Sequence, residues 1–183
     1  MPERLQNQPV DISHVLVSTD QIQHRVGELA RQISRDYQEN GKLLLVGILR
    51  GAFIFLADLT RELSVPHAVD FMALSSYGKN TSIGEVRLLM DLREPIEGRN
   101  VVIVEDIIDS GHTLDYLYRL LQARRPASLR TCVMVRKKRS SLDVPVDYLG
   151  FEIPDVWVVG YGLDYADRYR TLRYIAELKE KAV

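Results

Sequence analysis

Apolar positions follow two rhythms along the chain. In STDQIQHRVGELARQISRDYQENG they recur at Ile22, Val26, Leu29 and Ile33, the spacing of one helical face, opened by Ser/Thr/Asp residues and stopped by Gly41. KLLLVGIL is instead a short unbroken apolar run, the pattern of a strand buried on both faces. RGA follows as a tight connection, and FIFLADLTREL then predicts a second helix ending before Pro66. The same unit recurs at VVIV, a polar acidic loop and TLDYLYRLLQARR, where Leu114, Leu117, Leu120 and Leu121 give an apolar face before Pro126. AVDFMAL, VRLLM, TCVMV and VWVVGY predict further strands. Strands alternating with helices point to an α/β domain whose largely parallel sheet is covered on both faces, with ligands at the carboxyl ends of the strands.

The stretch VVIVEDIIDSGHTL changes this picture, because Glu105 and Asp106 end an apolar run where unpartnered carboxylates are costly. Behind them, Asp109, Ser110, Gly111, His112 and Thr113 lie where a strand hands over to a helix N-terminus, whose free N–H groups and dipole favour an anion. Glycine permits close backbone approach and the two hydroxyls add donors, so a terminal phosphate fits. Ordinary N-capping and solvation account for the same residue types equally well. Carboxylates repel phosphate, so Glu105 and Asp106 suit sugar hydroxyls or a metal ion; alternation along a strand argues against one simple chelate. The triphosphate-binding loop, the G-x-G-x-x-G fingerprint, zinc pairs, H-E-x-x-H and G-x-S-x-G are all absent from the sequence. GYG at 160–162 lacks the third glycine, Tyr165 standing in its place.

Composition narrows the classes further. A length of 183 residues fits one domain, 1–183, and 24 basic against 25 acidic side chains give a net charge of −1, with no overall field toward nucleic acid or anionic membrane. A single cysteine, Cys132, and a polar N-terminus without the apolar core of a secretory signal fit a reducing cytoplasm. No apolar run has the length to span a bilayer.

VVIVEDIIDSGHTL resembles the phosphoribosyl-pyrophosphate (PRPP) signature of type I phosphoribosyltransferases, two acids followed by D-[ST]-G-x-T. GILRGAFIFLADL, SSYGKNTSIGEV and GFEIPDVWVVGYGLDYADRYR narrow the resemblance to the hypoxanthine-guanine phosphoribosyltransferases. It implies that family's fold: a mainly parallel sheet flanked by helices, with a small hood and a flexible lid loop. It implies that Glu105 and Asp106 take the ribose hydroxyls, that the 109–113 loop holds the 5′-phosphate, and that catalytic Asp109 accepts the proton at purine N7. Arg50 and Gly51 resemble the pyrophosphate loop, where the family has a non-proline cis peptide, here Leu49-Arg50; a plain strand-to-helix turn is the alternative. Trp157 resembles the aromatic that stacks on the base, Val158 the residue offering its backbone to the base edge, and Arg170 the pyrophosphate arginine. Asp164, with Glu105 and Asp106, resembles the carboxylates that help hold Mg2+, an ion that keeps its waters and needs few protein ligands. Trp157 otherwise reads as core, Asp164 as a turn acid and Arg170 as a solvated charge.

GKNTSIGE carries no periodicity and reads as an idle loop or, by resemblance, a lid that excludes water, with Ser76 and Tyr77 its dipeptide. A lysine after the sheet strand is implied to donate to the 6-oxo group of the base. By itself RKKR reads as a solvated loop face; alignment on Cys132 selects Lys137, the residue expected here to be the donor, whereas counting back from GFEIPD without gaps selects Arg136. The implied activity is that of a glycosyltransferase of purine salvage: with Mg2+, it joins hypoxanthine or guanine to PRPP, giving IMP or GMP and pyrophosphate. Its implied partners are these small molecules, neither nucleic acid nor membrane, and a second copy of the chain in a dimer or tetramer. Two rivals remain: a nucleotide-sensing, RNA-binding regulator on the same fold, and a transferase preferring xanthine.

Overall fold

A computed structural model describes residues 12–39, 41–77, 85–138 and 145–179. Its elements follow in the order β1 (Ile12–Val17), α1 (Thr19–Tyr37), β2 (Leu43–Leu49), α2 (Phe53–Glu62), β3 (His67–Tyr77), β4 (Glu85–Met90), β5 (Asn100–Ile108), α3 (His112–Gln122), β6 (Ser128–Lys137), β7 (Tyr148–Ile153), β8 (Val158–Val159) and β9 (Ile175–Leu178). A six-stranded sheet has the order β4-β3-β2-β5-β6-β7, parallel except for the edge strand β4, which runs antiparallel to β3. The antiparallel strands β1, β9 and β8 form a separate small sheet, the hood.

Alternation along the central strands divides the core. Leu43 and Leu45 of β2 join Val102 and Val104 of β5 in one cluster with Leu29 and Ile33 of α1 and with Phe55 and Leu59 of α2. Leu44, Val46 and Ile48 join Val101 and Ile103 in a second cluster with Leu114, Leu117 and Leu121 of α3. Each such side chain contributes about 1.5–3 kcal/mol by leaving water. Ser18 starts α1 with a capping box: its Oγ accepts the N–H of Gln21, whose side chain accepts the N–H of Ser18.

This division positions the site. The helix after β2 covers one face and the helix after β5 the other, so the chain leaves these neighbouring parallel strands in opposite directions. A crevice opens between their carboxyl ends, where an open α/β sheet binds ligands. The loops at 50–52 and 109–111 border that crevice.

Several elements differ from the sequence reading. β5 continues beyond VVIV through Glu105 and Asp106 to Ile108, so the acids belong to the strand. β6 runs through Arg136 and Lys137, placing both in the sheet where a loop was expected. VWVVGY retains only two strand residues, because Gly160, Tyr161 and Gly162 turn the chain with positive φ. β1, β7 and β9 had no counterpart in the sequence reading. Residues 78–84 of the segment expected to form the lid, and Arg139 of RKKR, lie outside the described residues; Ser76 and Tyr77 end β3, opposite Val86 and Glu85 of β4.

Candidate active site

Glu105 and Asp106 begin the site. Glu105 is buried, and its Oε2 has no hydrogen-bond partner among the described residues. Burial, reinforced by the charge of Asp106, holds its carboxyl well above the usual carboxylate range. Asp106 shares the α2 side of β5 with Val104 by strand alternation. Burial pushes its pKa up to about 6, the N–H of Ile107 and the charge of Arg170 pull it down, and the charge of Asp164 pushes up again. Asp106, Asp164 and Arg170 therefore share one electrostatic neighbourhood. Among the described residues no group of three or more His, Cys, Asp and Glu side chains forms a protein-only metal cage. Hard carboxylate oxygens, one of them orphaned, nonetheless suit Mg2+, which keeps most of its waters and takes one or two protein ligands.

Gly51 and Gly162 permit a close stack beside Asp106. A Cβ on Gly51 would lie 1.6 Å from Asp106 Oδ2, and a Cβ on Gly162 only 2.0 Å from the carbonyl oxygen of Gly51. Gly162 also has φ 101°, a conformation suited to glycine. The Leu49-Arg50 peptide beside this stack is cis, as the resemblance implied. Arg170 Nη2 meets Asp164 Oδ1 at 2.7 Å, its Nη1 donates to the Gly162 carbonyl at 2.8 Å, and Arg50 Nη2 meets Asp167 Oδ1 at 3.1 Å. Arg50, Gly51, Asp164 and Arg170 thus lie on segments brought together beside Asp106.

At the end of β5, Asp109, Ser110 and His112 are exposed, Thr113 is half-buried, and Gly111 forms the α3 N-cap at φ 93°. The N-cap position falls on Gly111, which has no side chain to cap with, so neither Ser110 nor Thr113 stands where the ordinary reading put a capping residue. A helix start of this kind turns its first-turn N–H groups and dipole toward an anion.

Lys137 and Trp157 mark the other end. A cavity of about 270 Å³ is lined by Asp109, Lys137, Asp155, Val156, Trp157, Glu177 and Leu178. Lys137 is buried, with its Nζ 3.2 Å from Asp109 Oδ1, 3.5 Å from Asp155 Oδ1 and 5.7 Å from the centre of the Trp157 ring. Arg136 pairs instead with Glu152 on β7. Trp157 is 63% exposed, which excludes the core reading, and meets Tyr165 edge to face. Val158 follows in β8 and is buried. Asp155, Glu177 and Gly162 were missed as site residues; the IPD turn signalled the first, and GYG contained the third, set aside as a failed dinucleotide fingerprint.

Residues 18–166 match the phosphoribosyl transferase domain model. A hypoxanthine-guanine phosphoribosyltransferase of Dictyostelium discoideum is 50% identical over 172 residues, covering 91% of this chain and 96% of that protein. The hypoxanthine phosphoribosyltransferase of Salmonella typhimurium is 50% identical over 167 residues, covering 90% and 94%. Among solved structures, a hypoxanthine-guanine phosphoribosyltransferase from Bacillus anthracis with HEPES in its active site superposes with a TM-score of 0.86 at 43% identity, covering 91% of this chain and 99% of that one. The Trypanosoma cruzi hypoxanthine phosphoribosyl transferase, solved to examine how its C-terminal region affects oligomeric state and activity, gives 0.88 at 42%, covering 94% of each.

Proposed function

This chain belongs to the phosphoribosyl transferase family, and we propose that it works in purine salvage, transferring the 5-phosphoribosyl group of PRPP to hypoxanthine or guanine with release of pyrophosphate. Residues 1–183 act as a single domain, assembled as a dimer or tetramer in the cytoplasm. No described helix is long and apolar enough to cross a bilayer.

The observation that carries this reading is one crevice with three chemistries in order: Lys137 facing Trp157, the start of α3 at Gly111, and the acid pair beside Gly51. A purine stacks on the exposed ring of Trp157, and the ammonium of Lys137, a donor only, meets its 6-oxo oxygen. Val158 offers its backbone groups to the base edge. N–H groups at 110–113 hold the 5′-phosphate, while Glu105 and Asp106 accept the ribose hydroxyls, which supplies the partner that Glu105 Oε2 lacks. Arg50, Gly51 and Arg170 receive the pyrophosphate. Mg2+, held by Asp106 and Asp164 with Glu105 behind them, would neutralise charge on the pyrophosphate oxygens.

As the C1′–N9 bond forms and the C1′–pyrophosphate bond breaks, Asp109 takes the proton from N7. Lys137, 3.2 Å away, keeps that carboxylate beside the base. The protein's contribution is positioning together with fixed charge. Product analysis tests the reading: incubation with PRPP, Mg2+ and hypoxanthine or guanine should give IMP or GMP and one pyrophosphate per nucleotide, and chelating the metal should stop it. Absence of both nucleotides would overturn it, and faster reaction with xanthine would select the rival substrate.

A further inference from the structure

Tyr161 lies outside the cavity and the phosphate loop, yet it joins the two segments that flank the Gly51–Gly162 stack. Its side chain is buried, and its phenol donates to Asp58 Oδ2 on α2 at 2.8 Å. Burial first, and then the bond to Asp58, push this phenol above its ordinary value, so it remains a protonated donor. Asp58 belongs to the helix that begins just after Gly51, and its other oxygen accepts from Arg61 at 2.9 Å. Tyr161 itself is held at φ 52° and donates its N–H to the Leu172 carbonyl. The next residue, Gly162, exchanges bonds with Arg170: its N–H donates to the Arg170 carbonyl, and its own carbonyl accepts from Nη1. Arg170 in turn holds Asp164. A second link between these segments, Arg50 to Asp167, joins side chains that are 71% and 63% exposed and fixes geometry weakly.

We propose that the Tyr161–Asp58 hydrogen bond is a positioning clamp that seats Gly162 against the Gly51 carbonyl and thereby sets how tightly the pyrophosphate end of PRPP is held. The inference rests on the functional reading above. Tyr161 and Asp58 touch no substrate; they act through the placement of Arg170, Asp164 and the 50–52 loop.

Tyr161→Phe keeps the ring and removes the donor, Asp58→Ala removes the acceptor, and Asp58→Asn retains one. The first two should raise the KM for PRPP about 3–10-fold with little change in the KM for the base, and Asp58→Asn should stay near wild type. Combining Tyr161→Phe with Asp58→Ala should cost no more than the larger single change, because both remove the same bond. Calorimetric titration of each variant with magnesium pyrophosphate gives a readout independent of turnover, and the same ranking is expected there. A wild-type protein that binds pyrophosphate but forms no nucleotide would sink the functional reading and leave the clamp testable by this titration; one that binds none would sink both. Pyrophosphate affinity unchanged in Tyr161→Phe would overturn the clamp. So would equal rises in KM for both substrates, with Asp58→Asn as impaired as Asp58→Ala, the pattern of a general loss of structure.

Discussion

Lys137 and Arg136 are neighbours in sequence with opposite fates. β6 carries both, so alternation sends them to opposite faces, Arg136 to Glu152 and Lys137 into the cavity beside Trp157. Sequence pointed to Lys137 but left Arg136 as the alternative, because the choice depends on how far the strand runs, which the apolar pattern TCVMV does not mark. Lys137→Ala should lower kcat/KM for hypoxanthine and guanine on the order of 10- to 150-fold, the cost of a lost charged donor, with little change in the apparent affinity for PRPP. Arg136→Ala should do much less; a larger base-specific loss in steady-state kinetics of that variant would reverse the assignment. Asp109 lines the cavity 3.2 Å from Lys137, and the proposed function puts it between the phosphate and the base. Asp109→Asn should preserve binding and reduce turnover by ~10²–10⁴-fold, whereas turnover within about threefold of wild type would remove it from proton transfer.

At the scale of elements, the loop after β2 approaches the Asp106 side chain of β5 so closely that a side chain at Gly51 would force one of them to shift. Gly51→Ala would drive a methyl group into Asp106 Oδ2 and displace both the carboxylate and the loop. Misplacement of about 1 Å costs ~10²-fold in a positioned reaction, so kcat/KM for PRPP should fall by about that factor in initial-rate measurements. Unchanged PRPP kinetics would show that the close approach is packing alone. The helices were legible because α1 and α3 carry apolar stripes at helical spacing and α1 has its capping residues in sequence. Of the hood, the apolar pattern of VWVVGY marked β8 alone, and the rest came only through family resemblance: β9 has four residues, too few for any period to register, and β1 mixes exposed and buried positions. The stack of Gly162 on Gly51 was not legible, since it joins residues over a hundred positions apart.

For the whole molecule, the acid pair is a liability, one that the proposed function has substrate and metal relieve. In the unliganded protein the folded pKa of Asp106 lies at about 6, above its ordinary 3.8. The unfolded chain therefore releases that proton first, and folding stability falls as pH rises from about 4 through 6 and stays lower above, with Glu105 acting in the same direction. The displacement corresponds to roughly 3 kcal/mol. Asp106→Asn should consequently raise the melting temperature in chelator at pH 7.5, on the order of 10 °C, with no gain at pH 4, while binding of PRPP is lost. Melting curves across pH check this; an equal shift at both pH values would mean that the ionised carboxylate is not the cause.

One comparison bears most directly on the claim that this crevice holds PRPP against a 6-oxopurine read by Lys137. It is the ratio of kcat/KM for hypoxanthine to that for adenine, measured with saturating PRPP and Mg2+. A buried ammonium meets an acceptor at position 6 of hypoxanthine and a second donor in adenine, and a site built to hydrogen-bond one group rejects its mismatch strongly. The ratio should therefore exceed about 10³, with IMP and pyrophosphate formed in equal amounts. Adenine used as well as hypoxanthine, or no nucleotide from either base, would contradict the account.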